Sequence, residues 1–226
     1  MVDRITIILC IIGMIIQCLF IYSEYRKNMV AALLLKGLAS IFFVCVGIRG
    51  FVRTGGSPFA MKIVYGLVLG ALGDIILNIR YLFKKYYTQI FTVGTVSFFA
   101  GHIMYLIAQI PLCDRLRASV VSGLIVSGVI LVFMDKKLKL SLFYKLGGFL
   151  YVCSVVFMAS VAVNNYISGQ NISRGIYAFG AFFFLSSDVI LIFNTFGKRK
   201  SFRLSALTLV LYYIGQISIA VSLFFK

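Results

Sequence analysis

The chain alternates long apolar runs with short clusters of basic and small polar residues, and the runs have one length. They lie near Ile5–Tyr22, Met29–Ile48, Phe59–Ile79, Ile90–Ile110, Ser119–Met134, Leu146–Val163, Ile176–Asn194 and Ser205–Phe225. A helix needs about 20 apolar residues to cross the hydrocarbon core of a bilayer, and each run meets that length or approaches it. Transmembrane barrels show shorter segments of alternating hydrophobicity, and these runs are continuous. The pattern predicts an all-α membrane bundle of eight transmembrane helices, a single integral membrane domain over residues 1–226.

Composition agrees. Of 226 residues, 62% are hydrophobic and 12% charged, and the mean hydropathy is +1.04. A soluble domain carries about a quarter charged residues. The net charge of +16 does not point to nucleic acid, because the basic residues cluster between apolar runs, where they meet lipid phosphates. Arg26, Lys27, Arg80, Lys84, Lys85, Lys136, Lys137, Lys139, Lys145, Lys198, Arg199, Lys200 and Arg203 fall in the loops of one side. Arg4, Arg49, Arg53, Lys62, Arg115, Arg117, Arg174 and Lys226 fall on the other. The first set is larger, which predicts a cell-membrane protein with cytoplasmic basic loops and both termini outside. Asp3 and Arg4 followed by Ile5–Tyr22 read as an uncleaved first helix.

The chain also aligns with itself at an offset of 114 residues. Tyr65-Gly66 and Leu72-Gly73-Asp74-Ile75-Ile76-Leu77 match Phe179-Gly180 and Ser186-Ser187-Asp188-Val189-Ile190-Leu191. At the same offset Phe98-Phe99-Ala100-Gly101-His102-Ile103 matches Tyr212-Tyr213-Ile214-Gly215-Gln216-Ile217. This predicts a parallel 4+4 internal repeat with halves of about 1–114 and 115–226, and sites in such folds lie between repeats.

Six acidic residues occur, and four of them (Asp3, Glu24, Asp114 and Asp135) fall at run ends or in loops. Asp74 and Asp188 sit inside apolar runs, at matching positions of the repeat. An ionised carboxylate at the membrane centre costs at least about 2.5–3.5 kcal/mol, so such residues face a bundle interior or wet cavity. Lys36 and His102, the single histidine, also lie inside runs. Counting about 1.5 Å per residue from each run's basic-loop end puts Asp74 about 9 Å deep, Lys36 about 12 Å, Asp188 about 15 Å and His102 about 20 Å. Asn78 shares the Asp74 face one turn on, and Asn194 follows Asp188 by six residues. Gly66, Gly70 and Gly73 form a small-residue face suited to close helix contact. The pairs Phe98-Phe99 and Tyr212-Tyr213 read as packing aromatics. The five cysteines have no metal spacing and read as packing residues.

Two carboxyl groups in a low-dielectric pocket cannot both ionise cheaply, which leaves a general acid beside a general base. Such a pair suits reactions through an oxocarbenium-like state, glycosidic cleavage or hydrolysis of a vinyl ether among them. One histidine and no cysteine cluster make a zinc site improbable, and no metal or cofactor is expected. The same residues would also describe a proton-coupled carrier. Gly73-Asp74 lacks the flanking pattern of an intramembrane aspartyl protease.

The segments Leu-Gly-Asp-Ile-Ile-Leu at 72–77, Gly-His-Ile-Met-Tyr at 101–105 and Ser-Asp-Val-Ile-Leu at 187–191 resemble the YhhN family of membrane proteins. Lys36 fits that family's Lys-Pro-Leu pattern, with Gly37 in place of the proline. The resemblance runs from the second helix to Gly215-Gln216. It implies a lysoplasmalogenase-like activity on a membrane lipid, hydrolysing the vinyl ether of lysoplasmalogen to a fatty aldehyde and a glycerophospho-amino-alcohol. It also implies Asp74 and Asp188 as the catalytic pair. Lys36, Asn78, His102, Tyr105, Asn194 and Gln216 are the expected substrate-binding residues.

Overall fold

A computed structural model describes residues 2–138, 142–197 and 200–225. Among the described residues there are eight long helices: α1 (Arg4–Tyr25), α2 (Met29–Arg53), α3 (Pro58–Ile79), α4 (Tyr87–Gln109), α5 (Leu116–Lys137), α6 (Leu142–Gly169), α7 (Ile172–Phe196) and α8 (Phe202–Ser222). All eight are long and apolar enough to cross a membrane. At about 1.5 Å per residue, the shortest spans about 30 Å, the thickness of the hydrocarbon core. Lys139, Lys198, Arg199 and Lys226 lie outside the described residues.

Local chemistry explains the starts. Asp3, Asn28, Ser57 and Asn171 each accept a hydrogen bond from the backbone N–H three residues on, at 2.8, 3.1, 3.2 and 2.8 Å, satisfying donors that the helix leaves unpaired. Pro58 follows its cap at a first-turn position where no N–H is needed. The Thr6 hydroxyl and backbone N–H, with Arg49, hold the Asp3 carboxyl down at about 2. Between α2 and α3 the chain turns through Gly55 and Gly56 at φ +66° and +74°, where only glycine is at ease.

Several helices extend past their apolar runs, α2 to Arg53 and α6 to Gly169 among them. Helix α6 outlasts the apolar run at Val163 because Asn165 is buried and donates to both the backbone and side-chain oxygens of Gln109 on α4, at 3.0 and 2.7 Å. With its N–H donors paired inside the bundle, Asn165 does not end the span. Helix α2 runs unbroken through Gly37, so the missing proline leaves a continuous helix there.

The outer face is apolar: Ile5, Ile8, Ile11 and Ile15 of α1 and Leu124, Ile125 and Val129 of α5 are exposed. The interior holds the polar residues Lys36, Ser40, Asp74, His102, Asp188 and Gln216. That inversion is expected of a chain solvated by lipid. The core is sequential, α1 to α2, α2 to α3, α3 to α4, α5 to α6, α6 to α7 and α7 to α8. Contacts of α2 with α8 and of α4 with α6 join the two halves.

Glycines set the closest crossings. A Cβ on Gly101 of α4 would lie 3.1 Å from the Gly66 carbonyl oxygen of α3, and one on Gly180 of α7 would lie 2.8 Å from the Gly215 carbonyl oxygen of α8. The residues of these two pairs stand 114 positions apart. Gly66, Gly70 and Gly73 take up Tyr105, Gln216 and Phe98 respectively, so the small-residue face of α3 is a packing face.

Candidate active site

The packing of α3 on α4 and α8 carries Asp74 into the bundle, where it is 1% exposed. Lys36 of α2 brings its Nζ to 3.2 Å from Asp74 Oδ1. Ser40, one turn further along α2, donates to Asp74 Oδ2 at 2.7 Å, and the Tyr212 hydroxyl of α8 donates to the same oxygen at 2.9 Å. Tyr213 lies 3.0 Å from Ser40 Oγ and donates to the Lys36 carbonyl oxygen at 3.2 Å. Asp74 is therefore a carboxylate with one ammonium and two hydroxyl donors converging on it, the arrangement that a buried negative charge needs.

Asp188 of α7 has different company. Tyr151 of α6 donates to its Oδ2 at 2.8 Å, and His102 Nε2 stands 3.9 Å from that oxygen. The Ser154 hydroxyl donates to the Tyr151 carbonyl oxygen at 2.7 Å. It therefore accepts at 3.1 Å from His102 Nδ1. A proton on Nδ1 leaves the Nε2 lone pair facing Asp188, and Nε2 is buried with no hydrogen-bond partner. No lysine or arginine ion-pairs with Asp188 among the described residues.

Both aspartates line one cavity of about 520 Å³ to which all eight helices contribute, within the range of small-molecule sites. Its walls are largely apolar, with Phe20, Leu77, Phe98, Phe99, Leu150 and Leu191 among them. Lys36, Asp74, Tyr151, Asp188 and Tyr212 are its polar interior, and Glu24, Asn78 and Arg80 lie toward the basic-loop end. Among the described residues no three His, Cys, Asp or Glu side chains come together as a metal site.

The sequence candidates separate into two groups. Lys36, Asp74, Asn78, Asp188 and Asn194 line the cavity, while His102, Tyr105 and Gln216 stand behind its wall. Tyr105 donates to Gln216 Oε1 at 2.8 Å, and Gln216 Nε2 donates to the Tyr212 hydroxyl at 3.2 Å, so this pair orients Tyr212 rather than meeting a ligand. Asn194 spends its amide on the α7–α8 connection. Its Nδ2 donates to the Ser201 carbonyl oxygen at 3.1 Å and to Ser205 Oγ at 2.9 Å, and its Oδ1 accepts from the Ser201 N–H at 2.8 Å. Asn78 Nδ2 reaches the Ala32 carbonyl oxygen at 3.4 Å.

Two expectations need correction. Tyr212 and Tyr213 are not packing aromatics alone; their hydroxyls organise Asp74 and Lys36. The i, i+4 spacing of Tyr212 and Gln216, and of Lys36 and Ser40, was the available signal. Tyr151 had none. Axial counting also set His102 about 5 Å deeper than Asp188, yet His102 Nε2 stands 3.9 Å from Asp188 Oδ2. An offset of about one helical turn is bridged by the reach of the two side chains, which counting along the backbone leaves out.

No curated protein and no solved structure matches the chain. The family model described as the YhhN family matches residues 24–223, a stretch that includes every polar residue of the cavity, and the chain belongs to the YhhN family.

Proposed function

We propose that this protein is an intramembrane hydrolase that cleaves the vinyl ether bond of a lysoplasmalogen. One observation carries the reading: two buried aspartates with unlike partners share a ligand-sized, mostly apolar cavity. Cleavage of a vinyl ether needs an acid to protonate carbon, an anion to stabilise the cation that forms, and a water. An apolar cavity within the bundle suits the hydrocarbon chain.

In this reading Asp188 is the acid and Asp74 the anion, at equivalent positions of a repeated four-helix unit. The Asp188 carboxyl delivers its proton to the outer vinyl carbon, and the double-bond electrons form the new C–H bond. The resulting oxocarbenium ion lies against the Asp74 carboxylate, which Lys36, Ser40 and Tyr212 hold in place. Water adds to the cationic carbon, and its proton returns to Asp188. The hemiacetal then breaks its C–O bond, passing its hydroxyl proton to the departing glycerol oxygen, to leave a fatty aldehyde and a free alcohol. His102 Nε2 beside Asp188 supports proton movement there, and Tyr151 orients the carboxyl. The basic loops being cytoplasmic, the cavity opens toward the cytoplasmic leaflet and both termini are outside.

A second reading, a proton-coupled or lipid-binding carrier, draws on the hydrogen-bonded series from Tyr105 through Gln216 and Tyr212 to Asp74. The test uses purified protein in detergent with lysoplasmenylethanolamine and reads aldehyde release. Wild type releases aldehyde, and Asp74→Asn and Asp188→Asn each lose about 10²-fold or more. A well-folded wild type that releases none, with ethanolamine and choline head groups alike, returns the weight to the carrier.

A further inference from the structure

Among the buried polar atoms of the cavity wall that have no hydrogen-bond partner, Thr208 Oγ1 is uncharged and two belong to charged groups that the proposed chemistry does not use. Glu24, in the last turn of α1, has its Oε2 buried and unbonded, and Arg80, at the end of α3, has its Nε buried and unbonded. Both residues line the cavity that holds the two aspartates. An unsatisfied buried donor or acceptor is costly, and an opposite pair of them at one cavity marks a place for a ligand with both signs.

The Arg80 side chain is already fixed. Its Nη2 donates to the Tyr81 hydroxyl at 2.8 Å. Its guanidinium lies 4.8, 5.5 and 5.3 Å from the ring centroids of Tyr81, Tyr87 and Phe91. A guanidinium held this way offers its Nε–H to an anion with little entropy left to lose. Glu24 makes no ion pair within 4.0 Å among the described residues, so its free oxygen is available to a cation.

We propose that Arg80 and Glu24 form a head-group subsite for a phosphodiester carrying a primary ammonium, with Arg80 on the phosphate and Glu24 on the ammonium. The placement rests on the hydrolase reading above, and the distances along α3 agree with it. Arg80 follows Asp74 by six residues, about 9 Å of helix. Seven bonds separate phosphorus from the outer vinyl carbon of a 1-alkenyl glycerophospholipid, roughly 8–9 Å when extended. A lipid anchored at Arg80 thus presents its vinyl ether at the level of Asp74.

The subsite discriminates between head groups. A primary ammonium has three N–H donors for Glu24 Oε2, whereas a quaternary ammonium has none and is normally held by open aromatic faces. Here the rings of Tyr81, Tyr87 and Phe91 carry the Arg80 guanidinium, and the Phe20 ring carries Lys36, its Nζ 5.4 Å from the centroid. Ethanolamine is therefore preferred to choline.

Binding is measured with the acyl lysolipids lysophosphatidylethanolamine and lysophosphatidylcholine, which lack the vinyl ether, by the ligand-induced rise in unfolding temperature of the detergent-solubilised full chain. Wild type favours the ethanolamine lipid by about tenfold in affinity. Glu24→Gln, which keeps the shape, brings the ratio near one, and Arg80→Gln weakens both lipids. Equal affinity of wild type for the two lipids, binding of neither, or a ratio unchanged in Glu24→Gln overturns the subsite. Because no bond is cleaved, selective binding with no aldehyde release in the hydrolysis assay sinks the hydrolase reading and leaves the subsite standing. Hydrolysis without head-group preference does the reverse.

Discussion

Lys36 Nζ lies 3.2 Å from Asp74 Oδ1, with the two side chains 11% and 2% exposed. The pair joins α2 to α3 inside the bundle and neutralises the one aspartate that collects three donors. Removing one member of a buried ion pair strands the other charge, which costs more than the pair itself contributes.

Lys36→Met therefore destabilises the protein by about 3–5 kcal/mol, and the double variant Lys36→Met with Asp74→Leu recovers much of the loss. Unfolding midpoints in detergent for the four members of this cycle check it. Additive losses would mean that the two side chains act separately.

Tyr212→Phe removes one of the two hydroxyls on Asp74 Oδ2 and leaves the ring packed between Phe43, Phe98 and Phe184. A hydrogen bond to a charged group contributes about 1.5–3 kcal/mol, so under the proposed hydrolase reading the rate of aldehyde release falls by roughly 10- to 100-fold while the fold survives. Tyr213→Phe, whose hydroxyl reaches Asp74 only through Ser40, has the smaller effect on kcat. The opposite ranking would reassign the donor that matters.

Gly180→Ala is destabilising by about 1–3 kcal/mol, because its Cβ would meet the Gly215 carbonyl oxygen at 2.8 Å and the Ile219 backbone nitrogen at 3.0 Å. Backbone atoms of a packed helix do not step aside as a side-chain tip does. Gly128→Ala on α5, where nothing lies within 4 Å of the new atom, is neutral or gains up to about 1 kcal/mol in helix propensity. Equal midpoints for the two variants would show that the α7–α8 crossing is loose.

Hydrophobic run length alone determined that this chain forms eight membrane-crossing helices, since a bilayer allows an apolar segment of about 20 residues few other structures. Charge inside those runs was equally legible. Asp74, Asp188 and Lys36 stand out because lipid makes each of them costly, and all three line the cavity. A glycine face at 66, 70 and 73 announced a close crossing by its spacing.

What the residues around each aspartate do was decided by the tertiary structure. Asp74 and Asp188 are alike in sequence, each inside an apolar run and followed by Ile-Ile-Leu or Val-Ile-Leu. One meets Lys36, Ser40 and Tyr212, and the other meets Tyr151 and faces His102. Those partners come from four other helices, and which side chains converge depends on the relative heights and rotations of helices, which periodicity within one helix does not encode. Tyrosines were the hardest to read, because a ring buried among apolar residues looks the same in sequence whether or not its hydroxyl finds a carboxylate. Asn194 and Gln216 were drawn to the site by their polarity. The structure gives their amides to a turn and to Tyr212 instead, since in a membrane interior every polar group must find a partner and most find a structural one.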